Sequence, residues 1–484
     1  MGEKPVATSR EGAIASKAAP ARGLTPTDGG YPSPAYGWFV VGVLTLAYVF
    51  SFLDRQILSL LVEPMKADLN LNDTQISLLQ GLAFAVCNAL AGLPLGRLVD
   101  TQRRTTLVAA GIAFWSVMTA ACGLVRSYGA LLILRMGVGA GEAVLTPAAN
   151  SLIGDHFPPH KVGFPLAVYS IGIFIGGGLA LVIGATVIAG AIEAGPAYVT
   201  LVGEIRPWQT VFLIVGLPGL LVALLALSLR EPARKGALRR SGADNGAGKP
   251  EAPPLREVFA FLSENRRAFI SVNLFMGFSA VAGYGVAAWV PSMFIRRHGW
   301  TAVEIGHAYG LLLVFGTAGV LMGGWLGDVM TRRKGPGGRL HIVIVVKLLT
   351  IPFIIGYTLL PDGTLALLPL AASIFLPTFM NGLSPAILQQ MVPNQMRGTA
   401  ISISLLVVNM LGLGVGPTLI AVLTDSVFQD PAMIHLSILF VCVAMASISL
   451  ILILIAYRPY VALVNALQQS QAEEGREAFA QGRH

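Results

Sequence analysis

Long, nearly uncharged apolar stretches fill this chain, separated by short charged punctuation. About 20 apolar residues in helical form cross the hydrocarbon core of a bilayer. Twelve stretches meet that length: 36–62, 74–99, 105–124, 128–153, 163–189, 208–229, 268–294, 306–329, 340–360, 364–389, 399–423 and 434–457. Most connections are short, so successive helices run antiparallel. One connection, 230–267, is long and divides the helices six and six. The pattern therefore predicts an all-α membrane protein of twelve transmembrane helices in two six-helix halves. The halves are 36–229 and 268–457, flanked by tails at 1–35 and 458–484. The first tail is Ala-, Gly-, Pro- and Thr-rich, carries Lys4, Arg10, Lys17 and Arg22, and lacks the apolar core of a signal peptide. It reads as disordered, as does the start of the 230–267 linker. The end of that linker, LREVFAFLSENRR, predicts a short amphipathic helix lying on the membrane surface.

Composition agrees. Only 12% of residues are charged and 54% are apolar, against about a quarter charged in soluble domains. A soluble enzyme, a disordered chain and a nucleic-acid binder are excluded. The net charge of +8 then reads as loop asymmetry. With the N-terminus inside, inner segments hold 24 of the 33 Lys and Arg, and outer loops hold five: Lys66, Arg126, Arg206, Arg296 and Arg297. That bias predicts a multi-pass protein of the cytoplasmic membrane with both termini cytoplasmic. Cys87, Cys122 and Cys442 fall inside apolar stretches, at spacings that suit neither a disulfide framework nor a metal site. Asn72-Asp73-Thr74 is a glycosylation sequon in an outer loop.

The halves repeat. GRLVDTQRR (96–104) after the second stretch matches GWLGDVMTRR (324–333) after the eighth, with Gly96 and Asp100 mapping onto Gly324 and Asp328. FPPHKVG (157–163) similarly matches VPNQMRG (392–398). Two related halves are a transporter signature, with the substrate site between them near the midplane. The doubled G-x-x-x-D…R-R loop resembles the major facilitator superfamily across residues 36–457, although Thr101 and Arg103 depart from its usual pattern. FLDRQILSLLVEPMKADLNLNDTQISLL, LRMGVGAGEA and RPWQTVFLIVGLPGL resemble the spinster family of lipid transporters. Subfamilies for organic acids share parts of these segments.

Charge inside a membrane is costly and points to function. Asp54 and Arg55 in the first helix, and Arg135 and Glu142 in the fourth, are placed roughly 10–12 Å or more below the outer surface by helical rise. Arg135 and Glu142 are two turns apart and share a face. The four are expected to meet in one cavity between the first and fourth helices. One reading is a brace between helices. The other is a transport site, in which Asp54 and Glu142 exchange the coupling proton and Arg55 and Arg135 engage an anionic headgroup. The second half offers no deep acid at the matching positions, which are Leu370 and Pro377. Its cavity candidates are Asn273, Tyr284, Trp289, Asn381 and Asn409, with Tyr48 on the first-half side. Asp100, Arg103 and Arg104, with Asp328, Arg332 and Arg333, are expected to gate the inner face. Arg97 and Lys347 are expected to snorkel to the membrane boundary. The glycine clusters 137–143, 172–178 and 412–417 lie within helices and read as close packing rather than nucleotide loops.

The resemblance implies a proton-coupled secondary transporter that moves a lysophospholipid or sphingoid-type lipid by alternating access. The alternatives are a proton-coupled organic-acid symporter or drug exporter of the same superfamily and, more remotely, a receptor or scaffold. No catalytic constellation is present, so the chain is not expected to be an enzyme. No cofactor beyond the proton, no nucleic acid and a monomeric state in the bilayer are expected.

Overall fold

The computed structural model describes residues 31–158, 161–199, 203–232, 255–393 and 396–481. Most of the expected disordered tail 1–35 and of the linker's start lie outside these described residues. Twelve helices are long and apolar enough to cross a membrane. Spans 1 to 6 are Pro34–Leu60, Asp73–Thr101, Arg104–Cys122, Tyr128–His156, Gly163–Ala194 and Pro207–Leu227. Spans 7 to 12 are Arg266–His298, Ala302–Lys334, Gly338–Leu359, Gly363–Gln390, Thr399–Phe428 and Pro431–Ser470. Helices prevail because only they satisfy every backbone N–H and C=O internally within lipid. The ends of spans 6 and 12 define what is called here the linker face; the opposite side is the far face.

Three elements beyond the expected twelve appear. Val62–Leu69 is a short helix capping the far end of span 1. Ala197–Val199 and Gly203–Ile205 form an antiparallel hairpin between spans 5 and 6. Leu255–Glu264 is the surface helix expected from the linker sequence. The last helix also differs from expectation: it runs unbroken from Ile434 to Gln481, so the segment after residue 457 continues span 12 rather than forming a separate tail. The reason is a helical stripe, Tyr460, Leu463, Val464 and Leu467, that packs on the second half. Tyr460 is fully buried and donates its hydroxyl to Gln390 Oε1 at 2.8 Å.

Spans 2 and 11 are not regular helices. Each contains a π-helical turn, Leu78–Leu82 and Met410–Val415, and the two turns meet across the halves. Gly81 lies so close to the Leu413 carbonyl that a Cβ there would overlap it. Span 4 breaks just after Glu142, between Tyr128–Glu142 and Leu145–His156.

The core reveals which way the molecule is open. On the far face one apolar cluster runs through both halves, from Leu53 and Leu60 to Trp289, Tyr357 and Ile438. Towards the linker face the core separates into two, one inside the first half around Trp115 and Leu152, the other inside the second around Phe275 and Ile387. Spans 5 and 8 pack closely through Gly178, Gly306 and Gly310. The halves are therefore joined on the far face and parted on the linker face.

Candidate functional site

The first-half charges divide into two layers. Asp54 and Arg55 are neighbours on span 1, and neighbours in a helix point about 100° apart. Arg55 turns towards the second half. Its Nε donates to Glu142 Oε2 at 2.8 Å, its Nη2 pairs with the same oxygen, and Ser51 Oγ donates to that oxygen at 2.5 Å. Phe52 and Phe84 cover the guanidinium, with ring centres 5.0 and 4.4 Å from its carbon. The Glu142 side chain is 1% exposed, whereas that of Arg55 is 21% exposed. Arg55 is thus the charged group of this layer that reaches open space.

Asp54 turns into the first half and is buried. Its Oδ2 accepts from Thr119 Oγ1 at 3.1 Å and its Oδ1 has no partner. Arg135, wholly buried, donates from Nη1 to the backbone carbonyl of Asp54 at 3.2 Å and from Nε to Leu79 O at 3.4 Å. Its Nη2 has no partner. The expectation of one shared cavity for all four charges is corrected: Arg55 faces the cleft with Glu142 buried against it, while Asp54 and Arg135 are sealed in a separate layer behind them. Arg135 approaches Asp54 through its carbonyl, not its carboxylate. Glu142 Oε1, like Asp54 Oδ1, is buried without a partner.

The cleft beside Arg55 is lined by Phe52, Gln56, Ser59 and Gln80 of the first half. Tyr284, Ala287, Ala288, Leu413 and Pro417 line it from the second. Tyr284 is thus at the expected place. Tyr48 stacks on Tyr169 at 4.6 Å, beside Phe52. Trp289 is not a cavity residue: it is fully buried, and its indole N–H donates to Pro417 O at 2.9 Å. It is the residue next to the cleft-lining Ala288, and the roughly 100° step between helical neighbours turns it into the packing between spans 7 and 11. Asn273 donates to Phe269 O of its own helix at 2.9 Å. Asn381 and Asn409 are exposed but do not line the Arg55 cleft.

The far face above this cleft is latched between the halves. Arg296, at the end of span 7, donates to both Asp73 carboxylate oxygens at 2.7 and 2.8 Å and to Glu63 Oε1 at 2.8 Å. Lys66 also pairs with Asp73. Asp425 Oδ2 accepts from the Thr74 N–H and hydroxyl, both at 2.7 Å. The sequon is part of this latch, and Asn72 caps its helix by accepting from Gln75 N.

On the linker face Arg104 and Asp328 take partners other than those expected. Arg104 is buried and holds Glu231 Oε1 at 2.7 Å, Ser151 Oγ at 2.8 Å and the Asp155 carboxylate, joining the ends of spans 3, 4 and 6. Asp328 accepts from Arg339 at 2.9 Å rather than from Arg332 or Arg333, which are exposed. Asp100 and Arg103 are exposed as well. Arg97 is exposed, as expected, but Lys347 does not snorkel: it sits in mid-span 9 at 5% exposure. Sequence reasoning missed Ser51, Phe84, Thr119 and Tyr169. Ser51 carries a signal, one helical turn before Arg55; Phe84, Thr119 and Tyr169 come from other spans and have none.

The chain is similar to known proteins. The chain is 31% identical over 401 residues to an MFS-type efflux pump of Mycolicibacterium smegmatis, covering 82% of this chain and 86% of that one. It is 24% identical to Protein spinster of Drosophila melanogaster, over 81% of this chain and 62% of that one. In structure it is similar to a bacterial homolog of the human lysosomal transporter spinster, solved in an inward-facing and unoccupied conformation. That likeness has a TM-score of 0.73 at 26% identity and covers 90% of this chain and 98% of that one. Residues 44–417 match the family profile of the Major Facilitator Superfamily. With twelve spans in two joined halves and a charged cleft between them, the chain belongs to the Major Facilitator Superfamily and is a membrane transporter, not an enzyme.

Proposed function

We propose that this transporter moves an amphiphilic lysolipid or sphingoid-type lipid in exchange with, or together with, protons, with its linker face in the cytoplasm. The observation that carries the reading is Arg55. A guanidinium paired with Glu142 and lying against two aromatic rings stays partly exposed on the cleft, and a guanidinium forks onto phosphate or carboxylate. The opposite wall supplies Tyr284, Ala287 and Ala288, without charge. One charged wall and one apolar, aromatic wall suit a small anionic head on an apolar body.

The two carboxylates support proton coupling. Asp54 and Glu142 each keep one buried oxygen with no partner, which gives a proton a place to add. Protonating Glu142 removes the charge that holds Arg55, freeing the guanidinium for the ligand. Arg135 then serves Asp54 from behind rather than touching substrate. The lysine and arginine bias supports a linker face on the inside.

A second reading is a small organic acid clamped by Arg55. It is supported by relatives such as the hexuronate transporter of Bacillus subtilis, 24% identical over 80% of this chain. Proteoliposome flux of labelled lysolipid, with and without a pH gradient, separates the two when competed by unlabelled lysolipid or by hexuronate. Lysolipid transport that collapses in Arg55→Ala, and loses its response to the gradient in Asp54→Asn and Glu142→Gln, supports the lipid reading. Competition by the sugar acid alone sinks it.

A further inference from the structure

The surface helix Leu255–Glu264 makes a second feature, outside the transport cleft. It enters span 7 with only Asn265 between them. The Asn265 backbone N–H and side-chain Nδ2 both donate to Phe261 O, at 3.1 and 3.0 Å, so the junction is fixed rather than hinged. Phe261 packs against Phe269 of span 7, ring centres 6.2 Å apart. Val258 is buried, while Phe259 is 57% exposed. The helix therefore lies at the level where span 7 enters the apolar core, with an aromatic ring left uncovered.

At this junction a cavity of about 520 Å³ opens among Ser263, Glu264, Asn265, Arg266, Arg267 and Pro459 of the last helix. Arg266 and Arg267 are exposed, and neither is ion-paired to Glu264 or to any other acid among the described residues. Arg256, on the surface helix, is exposed too. The matching end of span 1, 228 residues earlier, carries exposed Trp38 and Phe39 instead, so the arginines are not an inheritance of the repeat.

We propose that this junction binds the phosphate headgroup of an anionic phospholipid from the bilayer leaflet on the linker face. Two uncommitted guanidiniums at the membrane boundary provide forked donors for a phosphodiester. The exposed Phe259 ring meets the adjoining acyl region. Pro459 supplies the far wall, so a bound lipid joins the surface helix and span 7 to span 12. Lipid held there braces the second half as one body while the first half moves against it. A basic residue close to an anionic bilayer contributes about fivefold in partition, so the pair accounts for roughly 25-fold.

The test uses the full-length protein in neutral detergent. Its thermal unfolding midpoint is measured with added phosphatidylglycerol, phosphatidylcholine, inorganic phosphate or glycerol 1-phosphate. Phosphatidylglycerol raises the midpoint and phosphatidylcholine does not. Arg266→Gln with Arg267→Gln loses most of the gain, and Lys334→Gln, an exposed cation elsewhere on the same face, keeps it. In the unaltered protein, a phosphatidylglycerol with a photoreactive acyl chain labels the peptide containing residues 255–270, and unlabelled phosphatidylglycerol competes. An equal gain from phosphatidylcholine, a gain unchanged in the double variant, labelling confined to other peptides, or a full gain from either soluble phosphate overturns the proposal.

Discussion

Arg296→Gln is expected to loosen the far-face latch. The Arg296 side chain is 7% exposed and makes three contacts to carboxylates, two to the fully buried Asp73 and one to Glu63, which is 33% exposed. Removing one member of a buried ion pair costs about 3–5 kcal/mol, because the other is left uncompensated. Lys66 stays on Asp73, and Glu63 is partly in water, so the smaller figure of about 2–3 kcal/mol applies. When the far face opens, Asp73 reaches water with or without Arg296. The penalty therefore falls on the closed state alone and shifts the closed-to-open ratio by roughly 30–150-fold. The assay is labelling of Ser59→Cys, which lies beneath the latch on the cleft, by a membrane-impermeant thiol reagent added from the far side. Cys87, Cys122 and Cys442 are first replaced. Labelling rises strongly in Arg296→Gln and less in Glu63→Gln, following their burial. Ser59→Cys as shielded in Arg296→Gln as in the parent would refute the latch.

Three further outcomes follow from contacts on the same map. Gly310→Val should abolish transport, because even a Cβ there would lie 2.7 Å from the Gly178 carbonyl and 2.8 Å from Val182, holding spans 5 and 8 apart; Gly190→Ala, with nothing within 4 Å, should transport normally in the same proteoliposome assay. Arg104→Ala should lower stability by about 2–3 kcal/mol in thermal or denaturant unfolding, since it removes the buried guanidinium with which both Asp155 and Glu231 pair, whereas Arg103→Ala should leave the midpoint within about 0.5 kcal/mol of the parent. Trp289→Phe removes the hydrogen bond to Pro417 and should cost about 1 kcal/mol of stability without changing the ligand Kd; a weakened Kd at unchanged stability would return Trp289 to the cleft.

The latch and the Arg104 network illustrate why sequence reasoning found some charged residues and misassigned their partners. Arg104 is expected from the sequence to gate the inner face in one group with Asp100 and Arg103. It joins Asp155 and Glu231, 51 and 127 residues away, because the ends of spans 3, 4 and 6 converge there. Asp328 likewise takes Arg339, from the neighbouring span 9, over Arg332 and Arg333 on its own helix. Asp73 and Arg296 were legible only as loop charges; 223 residues separate them in the chain.

Hydropathy along the chain by itself determined the twelve spans, their grouping six and six, and the amphipathic helix before span 7. Each follows from local rules: an apolar run must become a helix in lipid, and a helix has a fixed rise and period. The repeat and the intramembrane charges were equally local, so Asp54, Arg55, Arg135 and Glu142 stood out from the sequence. Only the tertiary structure decided that these four form two layers, because the direction of a side chain depends on how each span is rotated against its neighbours. Packing alone turned Trp289 inward and extended span 12 past residue 457. The open face was also a tertiary decision, since joining the cores on the far side and parting them on the linker side is a balance of contacts between halves that no single helix encodes.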